Sequence, residues 1–168
     1  MAENTLLYNE VSIVDTQKDK YLTFHLAGED YGIEIKFVTE IVGLQDITEV
    51  PDLANYIKGV INLRGKVIPV IDVRLRFLIE KRDYDSRTCI IIINLAGSAV
   101  GLIVDEVSEV INIPFEQIDE PPRTMRGTKS RFIQGFGKVG NKVKMILDID
   151  KFLNSDELEE LDGIDKKI

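Results

Sequence analysis

Asn62-Leu-Arg-Gly-Lys-Val-Ile-Pro-Val-Ile-Asp72 reads as two short apolar strands around a tight turn that displays one arginine. Pro69 cannot donate a ladder hydrogen bond, which predicts an edge strand or a bulge for the second arm. A hairpin of this kind presents a charge with no catalytic companion beside it. That is the pattern of a contact surface rather than a reaction centre.

The chain contains this hairpin, and its surroundings, twice. At an offset of 69, Leu26-Ala27-Gly28 falls on Leu95-Ala96-Gly97, Gly32 on Gly101, Val38 on Val107 and Glu40 on Glu109. At an offset of 76, Ile57 falls on Ile133, Gly59 on Gly135, Lys66-Val67 on Lys142-Val143 and Asp72 on Asp148. The difference between the offsets lies in the connector between the two blocks, where loops tolerate insertion. Two ordered blocks indicate a duplication rather than a solenoid, which needs about three or more repeats.

Each copy alone is small. A domain of about 60 residues buries only some 60% of its unfolded surface, so two subdomains sharing one core are expected. Within each copy, short strands at even spacing with little helix predict an all-β architecture. Sets of four or five strands that close on themselves make two small barrels, which removes exposed edges. Tyr21 to Ala27 alternates and predicts a strand with one wet face, followed by a turn at Gly28-Glu29-Asp30. Its counterpart Cys89 to Ile93 is apolar on both faces and requires a second layer over it. Ile47 to Val50 reads as a strand ended by Pro51. Asp72 and Asp148 occupy equivalent strand-to-helix junctions, where each suits an N-cap better than a catalytic pair.

Composition narrows the function classes. The 168 residues carry a formal charge of −8 and are 44% hydrophobic, which argues against nucleic acid and anionic membrane surfaces as partners. The basic residues Arg123, Arg126, Lys129 and Arg131 read as a solvated loop, and the acidic stretch Asp156 to Asp165 as a solvated helix face. Cys89 is the single cysteine and suits an inert buried thiol. His25 is the single histidine, which excludes a multi-histidine metal site; on the polar face of its strand it is expected to be solvated. No secretory signal or bilayer-spanning stretch is readable, which points to a soluble cytoplasmic protein without membrane insertion. Gly135-Phe-Gly-Lys-Val-Gly140 fits G-x-G-x-x-G, but Asn141 to Leu147 after it reads as a strand, so the motif is a hairpin rather than a cofactor loop. No cofactor or catalytic residue is implied.

Arg64 stands apart. Copy two has Gly140 at its position and Asn141 where copy one has Gly65, while the apolar flanks are kept. Arg64 could keep an edge soluble or pair with an acid such as Glu40. Copy two keeps Glu109 with no arginine at its turn, however, so the fold does not require such a pair. Arginine is also favoured at interface hot spots.

Gly59-Val-Ile-Asn-Leu-Arg-Gly-Lys-Val-Ile-Pro-Val-Ile-Asp-Val-Arg74, Tyr31-Gly-Ile-Glu-Ile35, Val100-Gly-Leu-Ile-Val-Asp105 and Leu153-Asn-Ser-Asp-Glu157 resemble the CheW family of bacterial chemotaxis coupling proteins. The resemblance implies two five-stranded SH3-like barrels packed on a shared hydrophobic core, with short helices and a C-terminal helix. It implies a flexible tail over 1–19 and a CheW-like domain over 20–162. Within that domain, barrel one would lie at about 20–80, barrel two at about 88–150 and the helix at about 154–162, with a tail over 163–168. It implies a non-enzymatic adaptor, associated with receptor arrays, that bridges the regulatory domain of the histidine kinase CheA and the cytoplasmic tips of methyl-accepting chemoreceptors. Val38, Glu40, Gly59, Arg64, Gly65, Ile90 and Gly101 are the partner-binding positions implied, with Val38 and Ile90 as an apolar floor, Glu40 and Arg64 as a rim, and the glycines as points of close approach. The alternatives are a small-molecule or signal-binding β module, or a regulatory adaptor like CheV, although no receiver segment is present.

Overall fold

The structure is a computed structural model and describes residues 17–127 and 129–153. The expected C-terminal helix and tail lie outside the described residues, as does most of the expected N-terminal tail. β1 (Lys20–Leu26) and β2 (Glu29–Glu34) form a hairpin, and β3 (Val38–Gly43) follows a 3-10 turn. β4 (Ile57–Leu63) and β5 (Lys66–Asp72) form a second hairpin that runs into a one-turn helix, α1 (Val73–Arg76). Copy two repeats the series with β6 (Cys89–Leu95), β7 (Ser98–Val104), β8 (Glu106–Asn112), the short β9 (Ile118–Asp119), β10 (Ile133–Val139), β11 (Lys142–Leu147) and α2 (Ile149–Phe152). Asp72 and Asp148 are the N-caps predicted: Leu75 N–H donates to Asp72 Oδ1 at 3.3 Å, and Lys151 N–H to Asp148 Oδ1 at 3.2 Å.

The sheets do not divide as the sequence copies do. One is ordered β8-β1-β2-β11-β10-β9 and the other β3-β6-β7-β5-β4. The first hairpin of copy one is therefore inserted into the strands of copy two, and the first hairpin of copy two into those of copy one. The boundaries at 20–80 and 88–150 describe repeats, not barrels. The parallel pairings β2 with β11 and β5 with β7 close each exchange. Periodicity could not show this, because both pairings satisfy the same strand pattern.

The exchange explains the doubly buried strands. Leu22, Phe24 and Leu26 of β1 meet Ile91, Ile93 and Leu95 of β6 in one central cluster shared by both sheets. The opposite face of β6, with Ile90 and Ile92, fills the interior of its own sheet with Ile61, Ile68, Val70 and Ile103. The expected wet face of β1 is also buried: Thr23 is 1% exposed and donates from Oγ1 to Glu109 O at 2.8 Å, while Tyr21 packs on Ile113 and Ile146. A stack of Phe24, Tyr31, Phe77, Phe132 and Phe152, with successive ring centroids 5.5–5.8 Å apart, runs through the shared core.

Further local corrections follow from geometry. The first turn is Ala27-Gly28, with φ of 50° and 79°, so Glu29 and Asp30 already belong to β2. The strand expected at Ile47 to Val50 reduces to one bridge, Thr48 with Val60. β5 is an interior strand, with Pro69 one residue before the stretch that pairs with β7. The bulge lies instead on β4, between Ile57 and Gly59. His25 is not simply solvated, since its Nδ1 contacts Asp30 Oδ1. Cys89 is half-buried at the head of β6 rather than interior.

A carboxylate ties the exchanged hairpins to α1. Asp105, after β7, receives Arg74 Nε at 2.7 Å and Arg74 Nη2 at 2.6 Å, and its Oδ2 also accepts from Ala27 N–H at 3.0 Å. Burial pushes its pKa up, but Arg74, the Ala27 N–H and Arg82 outweigh this and hold it below the ordinary carboxylate value. A depressed folded pKa means that the stabilisation is complete above about pH 4 and is lost as the pH falls toward the folded value. Urea midpoints measured from neutral pH down to about pH 3 are expected to fall over that acid window, and Asp105→Asn to flatten the fall while lowering the neutral-pH midpoint.

Gly59 makes a second test. Its φ is 143°, and a Cβ there would stand 2.1 Å from Thr48 O. Gly59→Ala is expected to cost more than about 3 kcal/mol. Gly43→Ala, where a Cβ meets nothing within 4 Å, is expected to stay within about ±0.5 kcal/mol. Thermal melts of the two variants decide the point.

Candidate functional site

Two hairpin turns stand at one end of the five-stranded sheet. Both are two-residue turns with positive φ at each position: Arg64 at 53° and Gly65 at 84°, Ala96 at 52° and Gly97 at 86°. That is the type I′ geometry that matches strand twist. Each is braced by an asparagine two residues before the turn, since Asn62 Oδ1 accepts from Gly65 N–H at 2.9 Å and Asn94 Oδ1 from Gly97 N–H at 3.0 Å. The second hairpin of copy two differs: at Gly140-Asn141 only the glycine has positive φ, at 60°.

The turns and β3 enclose a cleft of about 530 Å³. Leu63, Ile68 and Ile92 supply apolar surface, with Glu40, Arg64, Lys66 and Asn94 among the polar groups around it. Arg64 Nη2 donates to Glu40 Oε1, and the arginine side chain is 71% exposed. The acid that the sequence suggested as a partner is therefore the one found. An exposed pair of this kind contributes only about 0–1 kcal/mol to folding, while the left-handed backbone of a non-glycine residue costs about 1–2 kcal/mol. Stability does not explain an arginine at this turn.

The predicted partner-binding positions separate into two groups. Glu40 and Arg64 line the cleft, Gly65 follows Arg64 in the same turn, and Val38 is half-buried on the same edge strand as Glu40, packed against the shared core. Gly59, Ile90 and Gly101 are buried. The backbone that approaches Gly59 is the chain's own, at Thr48, and a Cβ on Gly101 would meet the methyls of Ile90 and Val70 at 2.8 Å. These three build the barrel interior, and Ile90 is not an exposed floor. Sequence reading missed Ile68, Ile92 and Asn94 as cleft residues, because hydrophobic or turn roles account for them equally well.

The matching end of the other sheet is chemically different. At the repeat offsets, Ile68 corresponds to Lys144, Ala99 to Asp30 and Asn94 to His25. Lys144, only 7% exposed, donates to Asp30 Oδ2 at 2.8 Å, and His25 contacts the same carboxylate. Burial raises the Asp30 pKa, but Lys144 and His25 outweigh it and the net shift is downward. A charge cluster thus occupies one barrel mouth where the other has an apolar surface beneath an ion pair. Asp72 and Asp148, the one imagined catalytic pair, are both engaged as caps, and Asp72 Oδ2 also accepts from Tyr84 OH at 2.7 Å.

A family profile described as "CheW-like domain" matches residues 20–157. The chain belongs to the CheW family. The chemotaxis protein CheW of Klebsiella aerogenes is 36% identical over 152 residues, which cover 90% of this chain and 92% of that protein. The chemotaxis protein CheW of Bacillus subtilis is 35% identical over 82% of this chain and 88% of its own. The crystal structure of the scaffolding protein TtCheW from Thermoanaerobacter tengcongensis superposes with a TM-score of 0.73 at 42% identity, covering 77% of this chain and 88% of that one. The mostly β, two-sheet architecture is that of the CheW family. Among the described residues no helix is long and apolar enough to cross a membrane.

Arg64→Gly tests whether the arginine is kept for folding. It removes left-handed strain and restores the residue found in copy two. Denaturation is expected to show unchanged or slightly raised stability, by up to about 1 kcal/mol. A loss of more than about 1 kcal/mol would show that the Glu40 pair holds the fold together.

Proposed function

We propose that this CheW-family chain is a non-enzymatic chemotaxis adaptor that couples chemoreceptor cytoplasmic tips to the histidine kinase CheA. The observation that carries the reading is Arg64, held in a strained turn over a partly apolar cleft, where folding alone gives no reason for it. The family membership and the scaffolding role named for its solved relative support the same reading.

On this reading the cleft at the Arg64 end receives the kinase's regulatory domain. Leu63, Ile68 and Ile92 offer apolar surface, and the Arg64 guanidinium, already oriented by Glu40, offers planar donors to a carboxylate or carbonyl of the partner. The receptor tip, a helical hairpin, docks through apolar anchors in a groove with polar edges. Val38 and its repeat counterpart Val107 are half-buried on the two edge strands and both pack on the shared core. With Ile41 and Val110, the next equivalent pair, at 43% and 52% exposure, they provide such anchors. Individually weak contacts suffice in an array, where effective concentration raises avidity.

Arg64→Ala is expected to change folding stability by no more than about ±0.5 kcal/mol and to weaken kinase-domain binding by about 2 kcal/mol or more. Calorimetric titration of the variant against the kinase regulatory domain and, separately, a receptor tip fragment reads both affinities. Unchanged affinity for both partners would remove Arg64 from the binding surface.

A further inference from the structure

Tyr21 carries a hydroxyl that the fold does not use. The residue is only 6% exposed and its ring packs on Ile113 and Ile146. The hydroxyl makes no hydrogen bond among the described residues. Every fully buried side-chain nitrogen or oxygen among those residues has a partner, so the unpaired hydroxyl stands where the ring reaches open space. Burial and the carboxylates of Glu34 and Asp19 push the phenol above its ordinary pKa, which keeps the hydroxyl neutral in a negative field. At the repeat offset of 69, Tyr21 corresponds to Ile90 and Glu34 to Ile103. Both isoleucines are buried in the interior of the other sheet. Equivalent strands are thus built with apolar side chains at both positions, and packing does not ask for the hydroxyl or the carboxylate.

The open space belongs to two adjoining clefts, both lined by Tyr21, Glu34 and Phe115. Tyr21 and Glu34 face each other across β1 and β2, at the end of that hairpin away from His25 and Asp30. The larger cleft, about 320 Å³, adds Ile118, Asp119, Glu120 and Gln134, so it holds three carboxylates and no lysine or arginine. Lys18, Lys20 and Lys36 line the smaller one, of about 270 Å³. The carboxylates are not tied up. Glu34 and Asp119 have exposed lysine partners, with Lys36 Nζ at 3.3 Å and Lys138 Nζ at 3.4 Å, and exposed pairs of this kind are weak. Gln134 Nε2 donates to Glu34 Oε1 at 3.4 Å. Phe115 is 76% exposed, and its 3-10 turn is closed by Gln117 N–H donating to Pro114 O at 2.8 Å. The face of an aromatic ring attracts cations, as carboxylates do, and a neutral phenol oxygen accepts from N–H donors.

We propose that the larger cleft is a binding site for an organic cation, a guanidinium or alkylammonium group. Its N–H donors reach the Tyr21 hydroxyl and the Glu34 carboxylate, and its charge lies against the Phe115 ring. A volume of about 320 Å³ is at the small end of ligand sites, so the cleft takes a cationic head group, carried by a free small molecule or by a side chain. The site lies on β1, β2, β9 and β10 and does not depend on the kinase and receptor reading, whose test residue is on the other sheet.

The test titrates the full chain, labelled for amide resonances, with methylguanidinium and with its uncharged isostere methylurea. The resonances of Glu34, Ile118 and Gln134 are expected to move saturably with methylguanidinium alone, while those of the Asn62 to Asp72 hairpin stay in place. Tyr21→Phe keeps the packed ring and removes the hydroxyl, and is expected to weaken binding about three- to tenfold, the effect of one hydrogen bond. Phe115→Ala, at an exposed position, is expected to weaken it about two- to fivefold. Titration with acetyl-Gly-Arg-Gly-amide separates the sources of the cation. Tighter binding than methylguanidinium assigns the site to an arginine side chain of a polypeptide and weaker binding to a free small cation, and either result supports the site. No saturable movement, equal movement with methylurea, or an affinity left unchanged by either variant would overturn the proposal.

Discussion

Everything in this structure depends on burying both faces of β1 and β6. Each is the second strand in its sheet, with the other copy's edge strand on one side and its own hairpin partner on the other. One face of each closes a barrel interior and the other meets the shared core. Neither sheet is complete without a hairpin from the other copy, so neither copy can bury its own strands alone. The marginal size of each repeat and the exchange of hairpins are two aspects of one constraint. The bidentate Arg74 and Asp105 pair stands at the same junction, joining α1 of one copy to the end of an exchanged hairpin of the other, with the Ala27 turn bound to the same carboxylate.

Much of this is legible in the residues, and what is not has a physical reason. The four hairpins, the capping aspartates and the duplication follow from turn chemistry and period-2 patterning, which are local. The exchange is not local. A hairpin such as Tyr31 to Ile35 with its partner strand carries no mark of which copy completes its sheet. The buried face of β1 was also hidden. Thr23 and His25 read as wet, yet Thr23 is buried by a hydrogen bond to the Glu109 backbone and His25 is held by a carboxylate across the turn. Polar residues satisfied by long-range partners look like surface residues in a sequence.

The candidate site divides along the same line. Arg64 and Gly65 could be singled out because the second copy lacks them, a comparison internal to the chain. Gly59 and Gly101 could not be assigned in that way, because both copies keep a glycine there, at Gly135 and Gly32. The structure gives the shared reason. A Cβ on Gly135 would come within 2.6 Å of Ile118 Cγ2, as one on Gly59 meets Thr48. The glycines kept in both copies serve the barrel, and the turn residues that differ are free to serve something else.

That rule also accounts for the unequal barrel ends. Duplication starts with two equivalent mouths, and a surface that binds at both would link chains without regard to partner. Specificity needs the two to be told apart, and a charged or polar group set against the wrong partner does this more sharply than added attraction. Placing Lys144 and Asp30 where the other mouth has Ile68 and Ala99 does so. A partner shaped for an apolar surface would cover the Lys144, Asp30 and His25 cluster without offering it polar contacts, which disfavours docking there. The charge cluster therefore makes one end unlike the apolar cleft under Arg64, while both ends keep the same backbone, and on the proposed reading only the latter suits an apolar partner surface.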